Sequence, residues 1–123
     1  MILGLGVDLV PVARLKAARS AALDRRVFTP AELKYAGRHA DADERLAGRF
    51  AAKEAVLKAL GTGWAKGLSW REVETLNDRH GRPVLGLKGK AAARARTLGI
   101  RRWHLSLAHD GGYAVAVAVA EGE

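Results

Sequence analysis

The chain has 123 residues, 49% of them hydrophobic and 28% charged, enough for one globular core and too apolar for a disordered segment. Cysteine is absent, which excludes a disulfide scaffold, a thiolate zinc site and a cysteine nucleophile. Lys and Arg outnumber Asp and Glu by 21 to 13, and this net +8 suits an anionic partner: nucleic acid, an anionic membrane surface, a polyphosphate ligand or an acidic protein. Plain solubility would account for the same charge. No apolar run approaches the ~20 residues of a membrane helix, and the start MILGLGVDLV, interrupted by Asp8, lacks the pattern of a signal peptide. The expectation is one soluble, cytoplasmic domain over residues 1–123.

Residues 1–10 alternate, with Leu3, Leu5, Val7 and Leu9 on what reads as a core face and Gly4, Gly6 and Asp8 on the other. Pro11 opens a predicted helix over 11–22 that carries Arg14, Lys16 and Arg19. Thr29-Pro30-Ala31-Glu32 is a capping box, starting a short helix that stops near Gly37. Asp41 and Glu44 give a second start signal, and the helix that follows runs to Gly61, a fitting C-cap. Residues 61–67 read as a loop. Strands are predicted over 70–76 and 83–87, joined by a turn, then a helix over 88–98 closed by Gly99. A strand over 101–109 sets Trp103, Leu105 and Leu107 against Arg102, His104 and Ser106. After the turn Asp110-Gly111-Gly112, residues 113–120 place valines on one face and alanines on the other. The alanine face suits close packing on another sheet or subunit. The fold class is α+β, an antiparallel sheet with one long helix.

The long helix breaks its own pattern. Leu46, Phe50, Leu57 and Leu60 mark its apolar stripe, yet Lys53 falls near the middle of that stripe and Arg49 at its edge. One reading makes Glu54 and Lys58 a surface pair at i, i+4 and lets Lys53 snorkel to water. That reading leaves Arg49 and Lys53 together on the apolar arc unexplained. Asp8 is the second anomaly: either a strand-end carboxylate bonded to backbone, or a group on a glycine face that a bulky ligand can approach. Two carboxylates from different elements, with lysine and arginine nearby, suit a magnesium–polyphosphate site. The loop Gly61-Thr62-Gly63 offers backbone N–H groups to phosphate, or Gly61 is simply a helix cap.

The segment Arg49-Phe50-Ala51-Ala52-Lys53-Glu54-Ala55, with Lys58-Ala59 and Gly61-Thr62-Gly63, resembles the signature of holo-acyl-carrier-protein synthases, the small trimeric class of 4′-phosphopantetheinyl transferases. Gly4 to Val10, Phe28-Thr29 with Glu32, Asn77-Asp78 with Gly81-Arg82-Pro83, and Leu105-Ser106-Leu107 with His109 resemble further family elements in the same order. Ala108 departs from the pattern, where the family often has Ser or Thr, and removes a hydroxyl. The resemblance implies transfer of 4′-phosphopantetheine from coenzyme A to a serine of apo acyl carrier protein, in fatty acid or polyketide biosynthesis, by a homotrimer with sites between subunits. It implies Asp8, Glu54 and Lys58 as catalytic residues, with Asp8 and Glu54 as ligands of Mg²⁺, or of Mn²⁺. It assigns Arg49, Lys58, Gly61, Thr62, Gly63 and His109 to coenzyme A, and Arg14, helped by Arg25 and Arg26, to the carrier's acidic helix. His109 also reads as a structural strand-end histidine. His39 and His80 read as surface residues, and His104 as a strand residue of no assigned role. Glu54 accepts the serine proton in this scheme, directly or through a metal-bound water. No nucleic acid or membrane partner is implied. Two other readings compete: a basic nucleic-acid-binding module, which leaves Asp8 and Glu54 unexplained, and a metal-dependent nucleotide hydrolase.

Overall fold

Two glycines decide how the molecule is layered. In the computed structural model, which describes residues 1–62 and 67–123, β1 (Ile2–Pro11) pairs antiparallel with β5 (Tyr113–Glu121). β5 pairs in turn with β4 (Arg102–Asp110), giving the order β1-β5-β4. The long helix α4 (Ala42–Leu60) crosses one face of this sheet. A Cβ at Gly6 would stand 1.8 Å from the carbonyl oxygen of Ala55, and one at Gly4 2.3 Å from that of Ala59. Only glycine lets a helix backbone come so close to a strand.

The consequence reverses an expectation. The inward face of β1 is the one bearing Gly4, Gly6, Asp8 and Val10, while Leu5 and Leu9 are 66% and 59% exposed and Leu3 and Val7 lie open beside them. β5 obeys the same rule. Ala114, Ala116, Ala118 and Ala120 are buried, and Val115, Val117 and Val119 pair across with Leu9, Val7 and Leu5 on the outer face. The alanine face therefore packs beneath α4 rather than on a second sheet or subunit. Trp103, Leu105 and Leu107 of β4 stay on the inner side, as the alternation predicts.

The predicted helix over 11–22 is two helices, α1 (Val12–Ala18) and α2 (Ala21–Val27). Arg19 and Ser20 are extended between them, and the Ser20 hydroxyl accepts from the N–H of Leu23 at 3.1 Å. A serine N-cap inside the predicted helix is the missed signal. α3 (Pro30–Gly37) has its capping box: Glu32 N–H donates to Thr29 Oγ1 at 3.2 Å and Thr29 N–H to Glu32 Oε1 at 2.9 Å. β2 (Val73–Asn77) and β3 (Pro83–Leu87) form a separate antiparallel hairpin. Trp70–Glu72, predicted as the start of β2, is a 3₁₀ turn instead. α5 (Gly89–Thr97) follows, with Gly99 beyond it at φ 81.

Lys53 does not snorkel. Its ammonium is fully buried and 2.8 Å from Glu32 Oε1, which is equally buried. It also donates to the carbonyls of Val73 and, at 3.1 Å, Trp70, while Glu32 Oε2 accepts from Thr75 N–H at 2.9 Å. Burial pulls the Lys53 pKa down, and the Glu32 charge opposes that pull. This pair joins α3, α4 and the β2–β3 hairpin through the core.

Candidate active site

The close crossing of β1 and α4 positions the first group of polar residues. Gly4 lies on Ala59 and Gly6 on Ala55, so the antiparallel run carries Asp8 toward the turn of α4 that holds Glu54. Lys58, one turn beyond Glu54, donates to Asp8 Oδ1 at 3.1 Å and to the carbonyl of Val7 at 2.9 Å. Asp8 is thus a mid-strand carboxylate with a helix cation on it, not a strand-end residue bonded to backbone. Lys58 thus reaches across to the strand as well as lying one turn from Glu54 on its own helix. Asp8 is mostly buried and Glu54 half-buried, whereas Lys58 is exposed. A mostly buried carboxylate that already draws a cation, with a second carboxylate on the helix that supplies that cation, offers the oxygen donors a hard divalent ion takes.

A second group lies further toward the start of α4. Arg49 and Glu54 are five positions apart, roughly 140° around the helix and about 7.5 Å along it. Arg49 borders a cleft of about 200 Å³ with Tyr35, Arg45, Asn77, Pro83 and His109. None of Asp8, Glu54 and Lys58 lines this cleft. Arg49 is only 5% exposed, its guanidinium donates to Asn77 Oδ1 and sits 4.3 Å from the centre of the Tyr35 ring. Its Nε has no hydrogen-bond partner among the described residues. Burial lowers the Arg49 pKa, with the Tyr35 hydroxyl and Glu32 opposing. A buried guanidinium with an unpaired donor beside an open cleft suits an anion. Arg45 donates to the Tyr35 hydroxyl at 2.6 Å and to Asp41 at 2.9 Å, and the Arg45 hydrogen bond holds the Asp41 carboxyl below its ordinary range.

His109, next to last in β4, also lines this cleft, with Nδ1 3.2 Å from Glu44 Oε2. The ligand atoms of Asp41, Glu44 and His109 lie within 4.8 Å of one another. Ala108 also lines the cleft, so the missing hydroxyl is missing there. Gly61 is the helix cap: at φ 75 its N–H donates to the carbonyls of Leu57 and Lys58. Thr62 borders a shallow apolar cleft with Lys90 and Arg94, and Gly63 lies outside the described residues. Arg14 is exposed on α1, and Arg25 and Arg26 are exposed in the last turn of α2. His80 is exposed and His39 half-buried against Tyr35, while His104 is 3.0 Å from Glu121. Tyr35, Arg45 and Asn77 escaped the sequence reading. Tyr35 and Asn77, from α3 and β2, reach Arg49 only through the fold, whereas Arg45 stands one turn before it on α4, a neighbour that helical spacing gives.

The family model of the 4′-phosphopantetheinyl transferase superfamily matches residues 4–118. A holo-[acyl-carrier-protein] synthase from Koribacter versatilis is 47% identical, over 98% of this chain and 99% of its own. The crystal structure of holo-[acyl-carrier-protein] synthase from Neisseria meningitidis superposes with a TM-score of 0.87 at 34% identity, covering 98% of this chain and 99% of that one. The ACPS–CoA complex from Chronobacterium ammoniagenes superposes at 0.84, also at 34% identity, covering 98% and 97%. With the capping box, the glycine-lined strand and the long helix all in the order the motifs require, the chain belongs to the 4′-phosphopantetheinyl transferase superfamily, as a holo-[acyl-carrier-protein] synthase.

Proposed function

We propose that this chain takes coenzyme A as donor and apo acyl carrier protein as acceptor, in the cytoplasm, with Mg²⁺ or Mn²⁺ held by Asp8 and Glu54. The observation that carries the reading is the convergence of a strand carboxylate, Asp8, and a helix cation, Lys58, at 3.1 Å on the helix that also bears Glu54. The likeness to an ACPS–CoA complex supports the donor. The oxygen of the carrier serine attacks the β-phosphorus of coenzyme A, the bond from that phosphorus to the bridging oxygen breaks, and 3′,5′-ADP leaves with that oxygen. The serine proton passes to Glu54, directly or through a water. In this reading Lys58 offsets charge growing on the phosphoryl oxygens, and positioning with charge neutralisation is most of what phosphoryl transfer needs. The divalent ion, when bound, supplies Lewis-acid neutralisation of the pyrophosphate.

Arg49, with its spare donor, and His109 hold the nucleotide phosphates in this reading. In this reading Gly61 and Thr62, at the end of α4, take the pyrophosphate, with Gly63 assigned to it from the motif. Arg14, with Arg25 and Arg26, receives the acidic helix of the carrier. The Arg49 cleft and the Asp8–Lys58 pair are separate features of one chain, which favours a homotrimer whose site is completed by a neighbour. The open apolar face of Leu5, Val7, Leu9, Val115, Val117 and Val119 gives such a neighbour a surface to cover. Intact-mass measurement of apo carrier after incubation with enzyme, coenzyme A and Mg²⁺ tests the reading. The carrier gains one phosphopantetheine. Free 3′,5′-ADP with unmodified carrier would reveal a hydrolase, and an unchanged mixture would leave only a binding module.

A further inference from the structure

The corner between α1 and α2 holds an ion-pair clasp that the transfer reaction itself does not use. Arg19 follows α1, and its Nε and Nη2 reach the two carboxylate oxygens of Asp24, on α2, at 3.1 and 2.8 Å. Its Nη1 reaches Asp43 Oδ1, in the first turn of α4, at 2.8 Å. All three side chains are at least two-thirds buried. The two carboxylates hold the Arg19 pKa well above its ordinary value, the hydrogen bond to Asp24 first among the causes. This use of the guanidinium fork is specific to arginine, since an ammonium cannot grip one carboxylate with two parallel bonds and a second with a third.

The clasp stands where the core holds least. α1 and α2 have seven residues each, too short to persist by themselves, and bury one residue apiece, Leu15 and Val27. Their outer sides carry the exposed cations Arg14 and Lys16 on α1 and Arg25 and Arg26 on α2. Whether these four form one face depends on the angle across the break at Arg19 and Ser20. We propose that Arg19 is a positioning residue for carrier recognition: by gripping Asp24 and Asp43 it locks α1 and α2 against α4 and aligns two basic helices into one docking face. The proposal rests on the reading that the acidic carrier docks on α1 and α2. Arg19 is itself spent on the clasp and offers no contact to the carrier.

The decisive variant is Asp24→Asn in the otherwise intact enzyme, compared with Arg19→Met, Arg19→Lys and the double variant. Asp24→Asn adds one positive charge beside the docking face and releases Arg19, so simple electrostatics lowers the KM for an acidic carrier. Positioning requires the opposite sign. The KM for carrier rises about fivefold, the size expected for losing a small ion-pair network, while kcat and the KM for coenzyme A hold. Arg19→Met gives the same rise, Arg19→Lys recovers little of it, and the double variant adds nothing further because both changes open one clasp. A KM for carrier that falls or holds in Asp24→Asn overturns the proposal. So does a rise confined to the Arg19 variants, which would mean that Arg19 touches the carrier, or a parallel rise in the KM for coenzyme A, which would mean general support of the fold. Arg14→Glu is the control on the docking reading: if it leaves the KM for carrier unmoved, that reading fails whatever the Asp24 variant does.

Discussion

Asp8 and Lys53 show how differently two charged residues one layer apart behave. Asp8 meets an exposed lysine, so the ion pair itself contributes at most about 1 kcal/mol. Asp8→Ala is therefore expected to move apo stability by no more than about that amount, in either direction, while abolishing most transfer. Because it removes one ligand of the proposed ion, the rise in melting temperature produced by Mg²⁺ with coenzyme A should vanish through linkage. Thermal melts with and without both ligands check this, and retained ligand stabilisation would remove Asp8 from the site. Lys53 is the contrary case. Lys53→Met leaves the Glu32 charge buried without its partner and is expected to cost about 3–5 kcal/mol, read as a drop in denaturation midpoint. The sequence flagged Lys53 as anomalous for lying on the apolar arc. It could not name Glu32 as the partner, because the 20 intervening residues close up only when α3 packs on α4.

At the scale of elements, periods were legible and faces were not. Strict alternation in β1 and β5 identified both strands, yet hydrophobicity alone pointed the leucines inward. Glycine and alanine carry little hydrophobic weight, but they are the residues that admit a helix at contact distance, and closeness decided the layering. The caps were legible for the opposite reason: Thr29 with Glu32, and Gly61, act through local hydrogen bonds that need no tertiary partner. The break between α1 and α2 was missed because Ser20, which favours an N-cap over a helix interior, stands among alanines that continue the helical pattern on both sides. Gly6→Ala tests the layering. Its Cβ would meet backbone, which cannot swing away, so a loss of about 3 kcal/mol or more is expected. Gly48→Ala, in the middle of α4 with nothing within 4 Å of the added methyl, is expected to gain about 0.5–1 kcal/mol. Urea titrations of the two variants read both signs, and a tolerated Gly6→Ala would contradict the packing of β1 on α4.

For the whole molecule, the outward face of β1 and β5 and the division of the polar residues belong to one account. Six apolar side chains stand on a face that α4 does not cover, and the Arg49 cleft contains none of Asp8, Glu54 and Lys58. The motifs named most of these residues, but a linear pattern carries no information on which chain supplies each to a given site. Single-chain geometry supplies it only as a separation. The most direct test mixes two inactive enzymes, Asp8→Ala and Arg49→Leu, by co-expression at equal levels, and measures transfer to apo carrier. If Asp8 of one subunit works with Arg49 of its neighbour, random trimers contain both intact partners at about a quarter of their sites, so about a quarter of wild-type activity returns. A mixture as inactive as either variant alone, from subunits shown to be co-assembled, would place the whole site within one chain and contradict the account.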